Sequence, residues 1–562
     1  MSILQKTKPI WLIATVTSLV IVGGAGAFWL MQNNFLMGDN PPGAKLIPQQ
    51  ALATLSVSTD PQQWQKLQQT GTPETKAAIA QQIQTLQQNF LTSNGFDYGR
   101  DIQPWIGSEA MLAYLPLPRE TNVTPEKAKK TKVEDALILV LPVSQPLLTS
   151  QIANQINSGK NNLVGRTYQG VKIQESPQGT KSPISVTVLD NAVVVTNNPK
   201  AIEQVVDAYQ GNNAIARLPG YSQALGKLKS GQSLFAEAPR SAARLYLNLP
   251  AISTMIGSET TKPVSTKPLG TQPVLNQQQY QGVATNVILE PQGLRFQGVS
   301  WLKPDSKQKF LPKNDAKIMP QRLPADTFLM FSGSNLQQFW LDYIDGQGNP
   351  LLPISPDAVR SGLKSFTNLD LDEDLLSWMQ GEFTVALLPS AANVTSRLKA
   401  GVVIMVQASD RPKAEKALKR LDEIAANNYQ FQVESNQLNG QPVTNWVSPL
   451  VGLNISHGWL DGNVAFLTFG APIATGIVPQ PREALAANSQ FQQALPGMNQ
   501  AHNGKLFINV NTAINANNLP LPQLPKDWRA ASKSISAIGM TTQVDGDRLL
   551  RFDLSIQLQP SK

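Results

Sequence analysis

The hydrophobic pattern begins with one long apolar run near the amino terminus. Residues Pro9 to Met31 include no charged side chain, and Lys6 and Lys8 precede them. About 20 apolar residues span the hydrocarbon core of a bilayer, so the run predicts a transmembrane anchor over residues 9–31. Because the lysines stand before the run, residues 1–8 are expected in the cytoplasm and the rest of the chain beyond the membrane.

A cleaved signal peptide is the alternative interpretation of the same segment. Ala25-Gly26-Ala27 matches the small-residue pattern of a cleavage site, and Trp11 to Val22 would be the apolar core of the signal. The anchor is favoured because residues 28–31 prolong the apolar run past that site. Both interpretations export the chain from residue 46 onward.

Beyond a polar linker at residues 32–45, the pattern changes to short strands and amphipathic helices, and it does so twice. Strands are predicted at Ala53 to Ser58 and again at Phe328 to Ser332. The runs Leu137 to Val140 and Val402 to Val406 are apolar on both faces, which predicts central strands that are covered on both sides. The succession predicts an α+β fold with mostly antiparallel sheets and packed helices.

Residue identities show that the second series of elements repeats the first. Five residues of the first half recur at one constant offset (324 − 48 = 276), namely Pro48, Ser56, Ser58, Gln62 and Trp64 as Pro324, Ser332, Ser334, Gln338 and Trp340. A second set recurs at a slightly smaller offset (370 − 97 = 273), namely Asp97, Asp101, Trp105, Glu109 and Pro116 as Asp370, Asp374, Trp378, Glu382 and Pro389. The repeat predicts two tandem homologous units.

The predicted organisation follows from these offsets. Repeat unit 1 is expected over residues 46–303, a linker over 304–321 and repeat unit 2 over 322–558. The offset falls late in the repeat, which indicates an insertion in unit 1 at Thr254 to Gln279. That stretch is rich in Thr, Pro, Ser and Gln, a composition typical of a loop.

Composition narrows the possible functions. Hydrophobic residues make up 41% of the 562 residues, enough for packed domains, while charged residues make up only 15%. The net charge of +8 is spread along the chain without a stripe of basic and aromatic residues, so a nucleic-acid partner is not expected. The absence of cysteine excludes thiol catalysis and thiolate metal sites. The two histidines, His457 and His502, have no counterparts in the other unit and are expected in polar surface or loop positions.

The sharpest local motif is Asp-x3-Asp-x3-Trp-x3-Glu, which occurs once in each unit. As a carboxylate site, for calcium for example, it would use seven candidate ligands: Asp97, Asp101, Glu109, Asp370, Asp372, Asp374 and Glu382. An EF-hand loop counted from Asp370 would need glycine and glutamate where Leu375 and Gly381 stand, so that motif fails. The favoured interpretation is structural, with Asp101 and Asp374 as helix caps and Trp105 and Trp378 as buried anchors. The pattern predicts no metal, cofactor or catalytic residue.

Several of these features together resemble a cyanobacterial family catalogued as domain of unknown function 3352. The resemblance rests on Asp97 to Glu109, Asp370 to Glu382, the Pro-Ala-Asp-Thr opening at Pro324 to Thr327 and the amino-terminal anchor. Unit 1 departs from it at Gln49-Gln50-Ala51, which replaces Ala-Asp-Thr. The resemblance implies a single-pass membrane protein that faces the periplasm or thylakoid lumen, and it brings no catalytic residues.

The sequence therefore favours a non-catalytic binding or assembly module, held to the bilayer by its amino-terminal helix, with a membrane protein complex as its candidate partner. Two alternatives stay open. A hydrolase would hold an acid- or serine-based site in one unit that the other lacks, and a carrier of an apolar ligand would enclose a cavity in each unit.

Overall fold

The computed structural model describes the larger part of the chain. The described residues are 41–59, 92, 97–117, 135–157, 163–180, 183–230, 241–259, 279–311, 315–344, 356–390, 398–448, 453–495, 497, 502–515 and 534–559. The predicted anchor, the signal-peptide alternative and most of the predicted insertion lie outside them. None of the helices in these ranges has both the length and the apolar character needed to cross a membrane.

The described chain forms two compact units, each with a mostly antiparallel sheet and packed helices. Unit 1 comprises residues 41–259 and 279–308, and unit 2 comprises residues 309–559. This confirms the predicted α+β class.

Unit 1 contains one ten-stranded antiparallel sheet within its described residues. Its order across the sheet is β4-β5-β6-β7-β3-β2-β1-β8-β9-β10. The strands are β1 Ala53–Ser58, β2 Glu109–Pro116, β3 Asp135–Pro142, β4 Val164–Tyr168, β5 Val171–Glu175, β6 Ser185–Leu189, β7 Ala192–Thr196, β8 Ala243–Asn248, β9 Tyr280–Glu290 and β10 Gly293–Leu302.

Helices cover both faces of the unit 1 sheet. The α-helices are α1 Tyr98–Asp101, α2 Thr149–Asn157, α3 Pro199–Gln210, α4 Tyr221–Ser230 and α5 Leu249–Glu259, and short 3-10 helices lie at Pro42–Lys45, Pro146–Leu148 and Ile215–Arg217. Leu137 and Leu139 of β3 pack into a cluster with Ile102 and Ile152 on one face, while Ile138 is fully buried on the other. The prediction of a central, doubly covered strand is confirmed here.

Unit 2 contains a second ten-stranded antiparallel sheet in its described part, ordered β14-β15-β16-β17-β13-β12-β11-β18-β19-β20. The strands are β11 Leu329–Gly333, β12 Phe383–Pro389, β13 Ala400–Gln407, β14 Gln432–Leu438, β15 Gln441–Val447, β16 Asn454–Leu460, β17 Val464–Gly470, β18 Gly504–Asn509, β19 Ile535–Val544 and β20 Leu549–Leu558.

Helices again cover both faces of the sheet. The α-helices are α6 Met319–Arg322, α7 Leu336–Asp342, α8 Pro356–Thr367, α9 Arg411–Tyr429, α10 Ser489–Ala494 and α11 Val510–Asn515; a π-helical turn spans Leu371–Leu375, and 3-10 helices lie at Leu376–Trp378, Ala474–Gly476 and Leu485–Ala487. Val403 and Met405 enter one apolar core and Val406 enters the other, which confirms the second central strand.

Parts of both predicted linkers are built into the units. Residues Pro42–Lys45 form a 3-10 helix that buries Gly43 and Ala44, although they lie within the predicted linker 32–45. In the predicted linker 304–321, residues from 309 onward belong to unit 2, and Met319 and Pro320 are buried. These short apolar stretches cover the sheet just before its first strand, which a polar linker composition does not reveal.

The apolar residues of α8 recur at helical spacing, but one of them faces water. Val359 and Leu363 are partly buried, whereas Phe366 is 65% exposed. Phe366 lies next to the last residue of the helix. Helical spacing of apolar residues thus does not by itself show that each of them is buried.

Candidate functional site

The aspartates of the repeated motif form a helix start in unit 1. The amide of Asp97 donates to Asp101 Oδ2 at 2.7 Å, and Asp97 Oδ1 accepts from the amide of Arg100 at 2.9 Å. The two aspartates thus satisfy amides at both ends of one turn, in the manner of a capping box. The Arg100 guanidinium beside Asp101 lowers the pKa of that carboxyl.

The same arrangement recurs in unit 2. The amide of Asp370 donates to Asp374 Oδ2 at 2.8 Å, and Asp370 Oδ1 accepts from the amides of Asp372 and Glu373 at 2.9 and 3.0 Å. Bonds to backbone amides lower the pKa of Asp370. Asp370 is therefore the helix cap of this motif.

Asp372, which only unit 2 has, serves the packing of two helices. Its Oδ1 accepts from Trp340 Nε1 at 2.8 Å, and its Oδ2 accepts from Arg360 Nε at 2.8 Å. The Arg360 guanidinium also lies over the Trp340 ring, 5.8 Å from its centroid. The carboxylate therefore joins α7 to α8.

These contacts correct part of the sequence interpretation. The helix caps are the first aspartates of the two motifs, Asp97 and Asp370, and not the second ones as predicted. The second aspartates, Asp101 and Asp374, lie inside the turn, and their carboxylates accept from the amides of the first. Trp378 is a buried anchor, 2% exposed, as predicted, whereas Trp105 is only partly buried against the cluster around Ile102. Within the described residues no group of three or more Asp, Glu or His side chains is placed to hold a metal ion.

The glutamates of the motif lie elsewhere, inside the sheets. In unit 1, Glu109 at the start of β2 accepts from Arg244 Nη2 on β8, with 2.8 Å between Nη2 and Oε2. The two side chains are 2% and 7% exposed. Ser56, on the strand between them, faces Arg244 directly in the register and is 1% exposed. Three side chains of complementary chemistry thus meet in a buried place.

Burial controls the electrostatics of this cluster. It raises the pKa of Glu109, while the Arg244 charge, its hydrogen bond and the Ser56 hydroxyl act in the opposite direction. Because a lone buried charge is costly, Arg244 and Glu109 each require the other.

Unit 2 places three related side chains at the same positions of its own sheet. Ser332 on β11 faces Lys505 on β18, and Glu382 directly precedes β12. Ser332, Lys505 and Glu382 are 0%, 2% and 4% exposed. Burial lowers the pKa of Lys505, which the Glu382 charge opposes and Lys317 reinforces.

The two glutamates are held by different partners, and the difference has a physical reason. Glu382 accepts from the amides of Ile318 and Met319 at 2.8 and 3.0 Å, at the start of α6. At the offset of 276, position 318 corresponds to Pro42, which has no amide hydrogen. Glu109 is instead bound by the guanidinium of Arg244, where unit 2 has a lysine.

Both histidines are buried, contrary to the prediction of surface positions, and only His502 lies in a loop, just before β18. His457 on β16 is 5% exposed, and its Nε2 lies 2.7 Å from Asp422 Oδ1 of α9. Trp446 Nε1 donates to the same oxygen at 2.7 Å. His502 is 6% exposed, and its Nε2 lies 2.9 Å from the Gly497 carbonyl oxygen. A lone histidine in the sequence carries no sign of such partners.

Two members of the buried clusters, Arg244 and Lys505, were missed by sequence reasoning. A signal was available, because Ala-Arg-Leu-Tyr-Leu-Asn at residues 243–248 aligns with Gly-Lys-Leu-Phe-Ile-Asn at 504–509 (505 − 244 = 261). Serine, carboxylate and basic side chain thus recur as a set in the two units, which the motif search in the sequence did not reveal.

A serine beside a lysine of lowered pKa is an arrangement that can activate a nucleophile. Here both side chains are enclosed in the sheet, so a substrate has no access to them in this conformation. In unit 1 the basic residue is Arg244, which does not deprotonate and cannot act as a base. The geometry accordingly favours a structural role for both clusters.

Comparison with known proteins agrees with the resemblance seen in the motifs. The family model described as Protein of unknown function (DUF3352) matches residues 12–558. The chain belongs to this family. No curated protein matches it in sequence.

Two solved structures show a remote likeness to this DUF3352 chain. Crystal form IV of TP0453 aligns at 11% identity with a TM-score of 0.24, covering 42% of this chain and 79% of that one. Crystal form III of TP0453 aligns at 11% identity with a TM-score of 0.23, covering 43% and 80%. Such low scores carry no argument about fold or function.

Proposed function

We propose that this DUF3352 chain is a non-catalytic binding or assembly protein, anchored by residues 9–31 and exported to the periplasm or thylakoid lumen of a cyanobacterium. The observation that carries the proposal is the burial of its repeated reactive side chains. Serine, glutamate and arginine or lysine recur in both units, and all six side chains are at most 7% exposed. The side chains that recur in both units thus serve to hold neighbouring strands together inside each sheet.

We also propose that the two units are copies of one ancestral unit. Equivalent backbone bonds support this, since the Ile215 amide donates to the Ile47 carbonyl at 2.9 Å and the Leu485 amide donates to the Leu323 carbonyl at 2.7 Å. Equivalent ring pairs support it as well. Tyr221–Tyr246 and Phe491–Phe507 are both edge-on, each with 5.0 Å between centroids.

A compensating exchange of volume gives further support to the duplication. A Cβ on Gly43 would lie 2.9 Å from Met111 Sδ, so Met111 fills the space that a side chain at position 43 would take. At the offsets of 276 and 273 the counterparts of Gly43 and Met111 are Met319 and Thr384. In unit 2 the larger side chain therefore stands at the position of Gly43 and the smaller one at the position of Met111. Close-packed cores require such paired changes.

Co-purification tests the proposed function. The tagged full chain, cross-linked in its own membranes and then solubilised, is expected to bring down a reproducible set of membrane or exported proteins. The matched control is the tag on residues 1–45 alone, which subtracts whatever binds the anchor. A binding role for the exported units would be contradicted if the full chain and the control recover the same proteins. It would also be contradicted if the full chain recovers no protein in any detergent.

The hydrolase alternative has one observation in its favour, the lowered pKa of Lys505 beside Ser332. We expect no reaction of Ser332 with a fluorophosphonate probe, because the side chain is fully buried. Ser332→Ala and the matched Ser56→Ala variant should label like the unmodified chain. Labelling that disappears only in Ser332→Ala would establish an activated serine and overturn the non-catalytic proposal.

A further inference from the structure

Residues 315–323, here called the strap, attach to the unit 2 sheet through polar groups at two places. The amide of Ala316 donates to the His502 carbonyl oxygen at 3.0 Å. The amides of Ile318 and Met319 donate to the Glu382 carboxylate at 2.8 and 3.0 Å. Ala316, Met319 and Leu323 are fully buried, so the strap forms part of the core.

His502 lies at the first of these attachments in a setting that suits only a neutral ring. Its Nε2 lies 2.9 Å from the Gly497 carbonyl oxygen. Because a carbonyl oxygen can only accept a hydrogen bond, Nε2 carries the hydrogen of the neutral ring. Its Nδ1 is buried and has no hydrogen-bond partner within the described part of the chain. Protonation would place a second N–H donor at this buried atom.

The charges around His502 come from the surrounding elements. Lys505 of β18 opposes a positive charge on the ring, and Asp553 of β20 favours one. Lys505 in turn interacts with Glu382 and with Lys317 of the strap. Burial, the first and largest cause, and the Lys505 charge lower the pKa of His502, while the hydrogen bond to Gly497 and the Asp553 charge act in the opposite direction. The same few groups therefore hold the strap and set the charge of the ring.

We propose that His502 makes the docking of the strap sensitive to acid, so that protonation of its ring releases residues 315–323 from the sheet. A protonated ring is destabilised in the buried site and stabilised in water. Acid therefore favours the state in which His502 and the strap, which bonds to its carbonyl oxygen, are detached from the sheet and exposed to water. The inference does not depend on the proposed function.

Unit 1 provides an internal comparison, because it has the counterpart of the strap without the histidine. The Ser58 amide bonds to Ala242 O and the Ser334 amide bonds to Asn503 O, both at 2.9 Å, which aligns Ser241 with His502. Ser241 does not titrate in this range. The segment 42–48 of unit 1 should therefore keep its protection in acid.

The sign of the effect follows from linkage. A histidine whose folded pKa is depressed contributes stability above its unfolded pKa and loses that contribution as the pH falls toward its folded pKa. The unfolded value is about 6.5. Below it, the protection of strap amides against hydrogen exchange should fall about tenfold per pH unit, after correction for intrinsic rates.

Hydrogen exchange of the full chain in detergent, between about pH 7.5 and about pH 5.5, tests the proposal. Protection over 315–323 should fall with acid, and protection over 42–48 should not. His502→Gln keeps a donor toward Gly497 and cannot take up a proton, so its strap protection should be flat. His457→Gln is the matched control and should retain the fall.

Two results would overturn the proposal. The first is that, in the unmodified chain, acid lowers the protection of the strap no more than the protection of residues 42–48. The second is that, in His502→Gln, acid lowers the protection of the strap as steeply as in the unmodified chain. If His502→Gln does not fold, the comparison of the two segments in the unmodified chain still decides.

Discussion

Arg244→Met should destabilise unit 1 by about 3–5 kcal/mol, because it leaves Glu109 buried without its counter-charge. Arg244 contributes most to opposing the effect of burial on the pKa of this carboxyl, and the pair is almost entirely shielded from water. Unit-resolved hydrogen exchange measures the loss directly, since amides of β1, β2 and β8 report on the opening of unit 1.

The pH dependence of this loss has a definite sign. Without Arg244, burial keeps the folded pKa of Glu109 above its unfolded value of about 4.3. A group with a raised folded pKa contributes stability below the unfolded pKa and loses it as the pH rises. The deficit of Arg244→Met should thus be full at neutral pH and shrink in acid.

The double variant Glu109→Leu/Arg244→Met is the control for this prediction. Replacing both members of a buried ion pair by apolar side chains is often close to neutral. Most of the lost stability should therefore return. A double variant as unstable as Arg244→Met alone would mean that the pair contributes through its shape or through further partners, and would contradict the role of Arg244 as the counter-charge of Glu109.

Glu382→Leu should destabilise unit 2 by a comparable amount, about 3–5 kcal/mol. It removes the counter-charge of Lys505 and the acceptor of the Ile318 and Met319 amides. Hydrogen exchange should show the strap and β18 losing protection together. Glu382→Gln is the matched control, because its amide oxygen still accepts from the strap while the charge is gone.

The pH dependence of this deficit is opposite in sign to that of Arg244→Met in unit 1. Without Glu382, burial holds the folded pKa of Lys505 still further below its ordinary value of about 10.4. A group with a depressed folded pKa contributes stability above the unfolded pKa and loses it as the pH falls. The deficit should be full at neutral pH and shrink in alkali. A deficit that does not change with pH would show that capping of the strap dominates.

Sequence patterns were sufficient for elements whose signal is local. Strand Ala53–Ser58 was predicted with its observed bounds, and the doubly apolar runs near Leu137 and Val402 became central strands. Hydrophobic periodicity reports which side of an element is covered, and these elements are covered within their own unit.

Features that depend on distant partners could not be predicted in this way. Glu109 and Arg244 are 135 positions apart, and only the sheet order brings them together. The same holds for Asp422 and His457, which join α9 to β16. A motif of four acidic and aromatic residues suggested one site, yet its aspartates serve helix starts and its glutamates serve the buried clusters.

Partner capture with two charge-free variants tests the central claim, that the repeated clusters hold the fold and do not act on a ligand. Glu109→Leu/Arg244→Met and Glu382→Leu/Lys505→Met would each be cross-linked and purified beside the unmodified chain, after hydrogen exchange shows that each is folded. We predict the same captured proteins for all three. A folded variant that loses its partners would show that the cluster takes part in binding and would contradict the claim.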